Sequence, residues 1–128
     1  MRKRTSGSSR LPPPVGPYSA AVIADGLVFC SGLIALDRET GELITGGIAE
    51  QVRCILENLR SLLEDVGSGL EMVTKTTVFL TSMEDFGELN RVYGEFFAKD
   101  APARTTAEVS RLPKGAAVEI EAIALLRA

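Results

Sequence analysis

Histidine is absent from this 128-residue chain, and that one absence removes several chemistries at once. Imidazole metal sites, Ser-His and Cys-His nucleophile pairs, and the imidazole pair of many ribonucleases all need a side chain the protein lacks. Cysteine is scarce as well: Cys30 and Cys54 stand 24 residues apart with no CxxC spacing. Two such residues support neither a zinc site nor a disulfide framework, so both are expected to be reduced thiols. No apolar run approaches the roughly 20 residues a membrane helix needs, and no signal-peptide core is present, so a cytoplasmic location is expected. Chemistry is left to carboxylates, Arg, Lys, Tyr, hydroxyls and backbone groups.

What is present suits one soluble domain: 45% hydrophobic and 24% charged residues, enough to build a single core and too apolar for disorder. Charge is distributed unevenly. Arg2, Lys3, Arg4 and Arg10 fall in the first ten residues, which hold no acid; the other 118 carry 10 cations against 17 anions, net −7. A body this acidic is a poor partner for nucleic acid, whose phosphates are neutralised by Lys and Arg. Residues 1–14, ending in Pro12-Pro13-Pro14, read as a disordered basic, proline-rich tail, and residues 15–128 as one domain.

Hydrophobic periodicity then marks the elements. Two short apolar runs, Tyr18 to Ala24 and Leu27 to Gly32, meet at Asp25-Gly26, a strong hairpin signal. Ile48, Val52, Ile55, Leu56, Leu59, Leu62, Leu63 and Val66 recur at helical spacing, with Gly67 and Gly69 to end the helix and Cys54 on its opposite, polar face. Met72 to Thr81 favours a strand. Ser82 is a candidate N-cap for a second helix to about Ala98, with Phe86, Leu89, Tyr93, Phe96 and Phe97 on its apolar side. Arg104 to Val109 and Val118 to Leu126 complete a β-β-α-β-α-β-β order, an α+β sandwich with both helices on one face of the sheet.

The last strand says what happens to the other face. Val118, Ile120, Ala122 and Ala124 point one way; Glu119, Glu121, Ile123 and Leu125 point the other. Ile123 and Leu125 are out of place on a purely solvated face, which argues for burial against a second copy.

Candidate chemistry is sparse. Were the last two strands a hairpin with Val109 opposite Val118, Arg104 would share a face with Glu119 and Glu121. Arg104 and Glu119 would then lie roughly 13 Å apart along the sheet at ~3.3 Å per residue. Such a pair suits either a small anion held between them or a structural ion pair at an interface. Gly16-Pro17-Tyr18-Ser19 reads as a turn into the first strand, and Ser31-Gly32 as a strand end where backbone N–H groups can approach a ligand. No GxxxxGK[ST] or GxGxxG phosphate loop occurs.

Taken together, these residues resemble the RidA family (also called YjgF/YER057c/UK114) of reactive-intermediate imine deaminases. The resemblance runs from Val15 to Arg127. It is carried by Gly16-Pro17-Tyr18-Ser19, Ser31-Gly32, Asp37 with Glu39-Thr40-Gly41, Ile48-Ala49-Glu50-Gln51, Lys75-Thr76-Thr77-Val78-Phe79-Leu80, Pro102-Ala103-Arg104, Leu112-Pro113-Lys114-Gly115 and Val118-Glu119-Ile120-Glu121-Ala122. It implies a chorismate-mutase-like fold and a homotrimer with clefts between subunits. It also implies hydrolysis of 2-imino acids, released by pyridoxal-phosphate enzymes, to 2-oxo acids and ammonia, without cofactor or metal. Arg104 would grip the substrate carboxylate and Glu119 would handle water as the catalytic pair, while Tyr18, Ser31, Asn90 and the backbone around Thr106 would line the pocket. Three positions depart from the family pattern: Thr106 stands where Cys is frequent, Leu33 in place of a common Gln, and Ala35 in place of a common Pro. A non-catalytic carboxylate-binding trimer and an endoribonuclease, a function sometimes ascribed to the family, are the rival readings; the acidic body and missing histidine weigh against the second.

Overall fold

The computed structural model describes residues 2–128. Its single sheet has six strands in the order β1-β2-β3-β6-β4-β5: β1 Lys3–Ser6, β2 Ala21–Ala24, β3 Leu27–Leu33, β4 Val73–Leu80, β5 Ala103–Glu108 and β6 Val118–Leu125. Two helices, α1 Ile48–Val66 and α2 Phe86–Phe96, pack together and cover one face. Among the described residues no helix is long and apolar enough to cross a membrane.

Local chemistry explains most of these elements. The β2–β3 hairpin turns at Asp25 and Gly26, both at positive φ (52° and 78°), the pair of left-handed residues that a two-residue hairpin turn requires. At the start of α1, the Glu50 carboxylate accepts a hydrogen bond from the Gly47 N–H at 3.1 Å, satisfying one orphan donor. At its end Gly67 takes φ 95° and Ser68 N donates to Leu63 O at 2.7 Å, a glycine C-terminal cap. Between these ends Ile55, Leu56, Leu59, Leu62 and Leu63 have no solvent exposure. They meet Val28, Val78, Ile120 and Ala124 of the sheet, also fully buried. Each fully buried Leu or Ile contributes about 1.5–3 kcal/mol of apolar transfer. Cys30 joins this core, and burial pushes its thiol up to about 12; it is an inert core residue.

Three expectations need correction. Residues in the supposed disordered tail form β1, paired antiparallel with β2 from Lys3↔Ala24 to Ser6↔Ala21. Lys3-Arg4-Thr5-Ser6 has no apolar alternation, so nothing local announces a strand; backbone pairing onto an open sheet edge creates it, and its charges keep that edge soluble. The last two strands are not a hairpin. Helix α2 carries the chain back across the sheet, so β5 lies parallel to β4, the usual outcome of a strand–helix–strand crossover, and β6 inserts between β3 and β4. Finally, Cys54 is not on a free polar face: the loop after β3 folds over α1, and Leu36 O accepts from both Cys54 Sγ (3.5 Å) and Asn58 Nδ2 (3.1 Å).

Candidate functional site

The corrected topology separates the two residues that carry the expected chemistry. Arg104 sits opposite Thr76 in the β4–β5 ladder. Thr76 is fully buried on the helix side, its hydroxyl 2.7 Å from that of Tyr93. Glu119 sits opposite Phe79, three residues along β4 and therefore on the other face. Within one chain, then, Arg104 and Glu119 point to opposite sides of the sheet and do not share a face.

Around Arg104 the surroundings are rigid. Its guanidinium carbon stands 4.7 Å from the ring centre of Tyr93 and 5.6 Å from that of Phe86, within cation–π range of both. Nη2 donates to Asn90 Oδ1 at 2.7 Å, so two of the expected site residues are brought together directly. Tyr93 is itself fixed by the Thr76 hydroxyl and by Phe97, whose ring centre is 4.7 Å away. Burial pushes the Tyr93 phenol up despite the bond to Thr76 and the nearby Arg104 charge, so it stays neutral. Thr106, two residues along the same face of β5, keeps its Oγ1 buried without a hydrogen-bond partner among the described residues. The guanidinium is thus oriented from below and along one edge, and among the described residues most of its five donors remain unused.

Glu119 occupies a different setting. It lines a cavity of about 740 Å³ with Tyr18, Ser31, Gly32, Leu33 and Ile34, closed on one side by residues of the N-terminal segment. β3 and β6 change register between Cys30 and Leu33, a bulge of the kind that re-aims side chains next to sites. There the Glu119 carboxyl lies against Gly32, and a Cβ built on that glycine would sit 2.8 Å from the Glu119 Cδ. A Cβ at position 32 would make the carboxylate shift from this place, so glycine here leaves room for the carboxylate where it lies. Desolvation, with a smaller contribution from the Glu121 charge, raises the Glu119 pKa above the ordinary carboxylate value. Ser31 Oγ donates to Ser19 O at 2.7 Å and Ser31 N to Ala20 O at 3.0 Å, fastening the turn that carries Tyr18, itself half exposed (50%). Glu121 is solvent-exposed two residues further on.

The expected residues therefore fall into two groups: Tyr18, Ser31 and Glu119 around one cavity, and Arg104, Asn90 and Thr106 beneath α2. Reading the sequence alone missed the roles of Phe86 and Tyr93. Spacing places Phe86 on the apolar side of α2, yet it is 37% exposed and flanks the guanidinium. The signal was a tyrosine on the inner helix face, whose hydroxyl must find a partner. Among the described residues no cluster of three metal-ligating side chains occurs.

Comparison with known proteins bears on the family and the fold. The family profile described as Endoribonuclease L-PSP matches residues 8–126. A RutC family protein of Pyrococcus abyssi is 44% identical over 124 residues, spanning 97% of this chain and 98% of that one. The 2-iminobutanoate/2-iminopropanoate deaminase of Homo sapiens is 38% identical over 123 residues, spanning 96% and 90%. Among solved structures, RidA from the Antarctic bacterium Psychrobacter superposes with a TM-score of 0.91 at 37% identity, covering 96% of this chain and 99% of that one. Escherichia coli TdcF with bound serine gives 0.90 at 36% identity, covering 98% and 99%. The chain belongs to the RidA (YjgF/RutC, Endoribonuclease L-PSP) family.

Proposed function

We propose that the protein hydrolyses 2-imino acids such as 2-iminopropanoate and 2-iminobutanoate, with their enamine tautomers, to 2-oxo acids and ammonia. The observation that carries this reading is the half-buried Glu119 carboxyl, raised in pKa and set against Gly32 in a cavity that also presents Tyr18, Ser31 and Lys114. A carboxylate tuned toward neutrality is suited to exchange a proton with water. The imine carbon is already electrophilic, so modest help suffices.

Arg104 makes a forked, charge-assisted contact to the substrate carboxylate and presents the C=N carbon to a water. Glu119 takes a proton from that water as its oxygen bonds to carbon and the C=N bond becomes single. It returns that proton to nitrogen to give the carbinolamine, then passes the carbinol hydroxyl proton to nitrogen as the C=O bond forms, the carbon–nitrogen bond breaks and ammonia leaves. Positioning and proton transfer are the whole of the catalysis, and no cofactor enters. TdcF, a relative with bound serine, supports a site for a small amino-acid carboxylate, and the human relative's name supports imine chemistry.

Because Arg104 and Glu119 face opposite sides of one sheet, the reaction requires two copies, each giving one half of the site. The open sheet face offers the contact: Phe29 and Leu125 are 41% and 43% exposed there, next to Ile123. We assign to it the homotrimeric, chorismate-mutase-like assembly that the family resemblance implies. A closed ring forms three such sites.

The test couples the protein to a threonine dehydratase and follows 2-oxobutanoate release. Release faster than the uncatalysed hydrolysis of the free imine supports the reading. Release at the uncatalysed rate, with serine or 2-oxobutanoate still bound, would leave the non-catalytic carboxylate-binding trimer. Cleavage of RNA at low salt would favour the endoribonuclease.

A further inference from the structure

Between β1 and the turn at Tyr18 the chain runs as a strap, Gly7 to Val15, with almost no backbone support. Its one internal backbone hydrogen bond is Leu11 N to Ser8 O at 3.3 Å, and Pro12, Pro13 and Pro14 have no N–H to give. Side chains hold it instead. Arg10 Nε and Nη2 donate to the two oxygens of Asp65 on α1, each at 2.9 Å. Nη2 also reaches Ser61 O at 3.0 Å and Glu64 Oε1 at 3.4 Å. Ser8 Oγ donates to Asp65 as well and accepts from Arg10 N at 3.1 Å. Hydrogen bonds from Arg10 and Ser8 hold the Asp65 carboxyl below its ordinary pKa, so the clasp is ionic at neutral pH.

The position of this strap matters more than its strength. Ser8, Leu11 and the three prolines line the Glu119 cavity together with Leu33 and Ile34. The same segment feeds straight into Gly16-Pro17-Tyr18, which the Ser31–Ser19 bond fastens at its far end. One end of the wall is therefore tied to β3; the other continues from β1, and between them Leu11 packs against the core while Arg10 and Ser8 fasten the strap to α1.

We propose that the Arg10–Asp65 clasp is a positioning device for substrate: it holds the strap as the pocket wall facing Glu119 and sets the placement of Tyr18. This rests on the imine-hydrolase reading above. Arg10 and Asp65 do not line the cavity, so they act through the wall. Loosening the clasp lowers the fraction of molecules with a formed pocket, which weakens apparent substrate affinity without altering the chemical step.

The test is steady-state hydrolysis of enzymatically generated 2-iminobutanoate by Arg10→Ala, Asp65→Asn and Arg10→Lys, with amide hydrogen exchange at Val15–Ser19. For the first two, KM should rise about two- to fivefold, the range of a well-formed exposed ion pair, with kcat near that of the unaltered protein and faster exchange at Val15–Ser19. Arg10→Lys should fall between, since lysine supplies the charge without the fork. Added salt should raise KM more steeply in the unaltered protein than in Arg10→Ala, in which only the Arg104–carboxylate contact is left to screen. Unchanged KM and unchanged exchange in both charge-removing variants would overturn the clasp. If the unaltered protein does not hydrolyse the imine, the functional reading falls by itself, and exchange at Val15–Ser19 still decides whether the clasp orders the pocket wall.

Discussion

The Arg104 and Glu119 regions stand two strands apart in one sheet and are built on opposite plans. Arg104 is held from several directions: two aromatic rings, the Asn90 amide, and the Tyr93–Thr76 hydrogen bond behind them. Glu119 is held by shape alone, pressed against Gly32 at a bulge, its charge opposed by desolvation and by Glu121. The first arrangement fixes direction, which a carboxylate clamp needs. The second fixes proton affinity, which a base needs. A single residue cannot easily be given both, because the hydrogen bonds that orient a carboxylate also stabilise its charge and lower its pKa.

Glu119→Gln should have the largest effect on turnover. It preserves size but accepts no proton, and should slow imine hydrolysis by about a hundredfold or more, as read in the dehydratase-coupled assay. Stability should move the other way. The folded-state pKa of Glu119 lies above its unfolded value, so its contribution to stability is fully present below the unfolded pKa and is lost as pH rises through the folded one. Glu119→Gln should therefore melt higher than the unaltered protein at neutral pH, and the gap should close once the pH falls below the ordinary carboxylate range. A variant that melts lower at neutral pH would show that the carboxylate is favourably partnered.

Next in size is Arg104→Ala, which removes the charged anchor. Charge-assisted hydrogen bonds of this type are worth about 1.5–3 kcal/mol, so turnover should fall roughly ten- to a hundredfold. Arg104→Lys should recover part of this, since lysine offers a point charge without a planar fork. Undiminished hydrolysis by Arg104→Ala would return this residue to a structural role.

Tyr93→Phe keeps the ring under the guanidinium but strands the buried Thr76 hydroxyl. A loss of about 1–3 kcal/mol in thermal stability is expected, with kcat largely kept, because the cation–π face survives. A large fall in kcat would show that the phenol has a chemical task. Smallest of all is Glu121→Gln. Removing this neighbouring charge should lower the Glu119 pKa and move the acid limb of the pH–rate profile to lower pH, leaving turnover on the plateau nearly unchanged. If Glu121→Gln were the inactive variant, the base would be assigned to the wrong glutamate.

The contrast between the two regions also marks where the sequence could be read and where it could not. Periodicity located α1 between Ile48 and Val66 and its glycine stop, and Asp25-Gly26 located the first turn of the sheet, because these depend on residues a few positions apart. The side of β6 on which Glu119 lies was legible from alternation alone. Strand partnership was not. Nothing in Arg104–Val109 says that it will pair with β4 in parallel and leave β6 to β3 and β4, since that is decided by how α2 crosses the sheet. The error placed Arg104 and Glu119 on one face, whereas the observed pairing puts them on two. β1 escaped notice for a related reason: a short polar segment becomes a strand only when an edge is there to receive it. Family resemblance named Tyr18, Ser31, Asn90 and Thr106, but it carried no geometry; their division into two groups came from the ladder registers, the Arg104–Asn90 bond and the cavity lining.

The central claim is that a complete site takes Arg104 from one subunit and Glu119 from another. It is tested by unfolding Arg104→Ala and Glu119→Gln together in equal amounts, refolding them as mixed assemblies and measuring imine hydrolysis. With random assortment in a closed ring, about a quarter of the sites would receive an intact Arg104 and an intact Glu119 from neighbouring subunits. Activity should therefore recover to about a quarter of that of the unaltered protein, although each variant refolded alone stays slow. A mixture no more active than its two components, with mixed assemblies demonstrated by mass, would contradict the account.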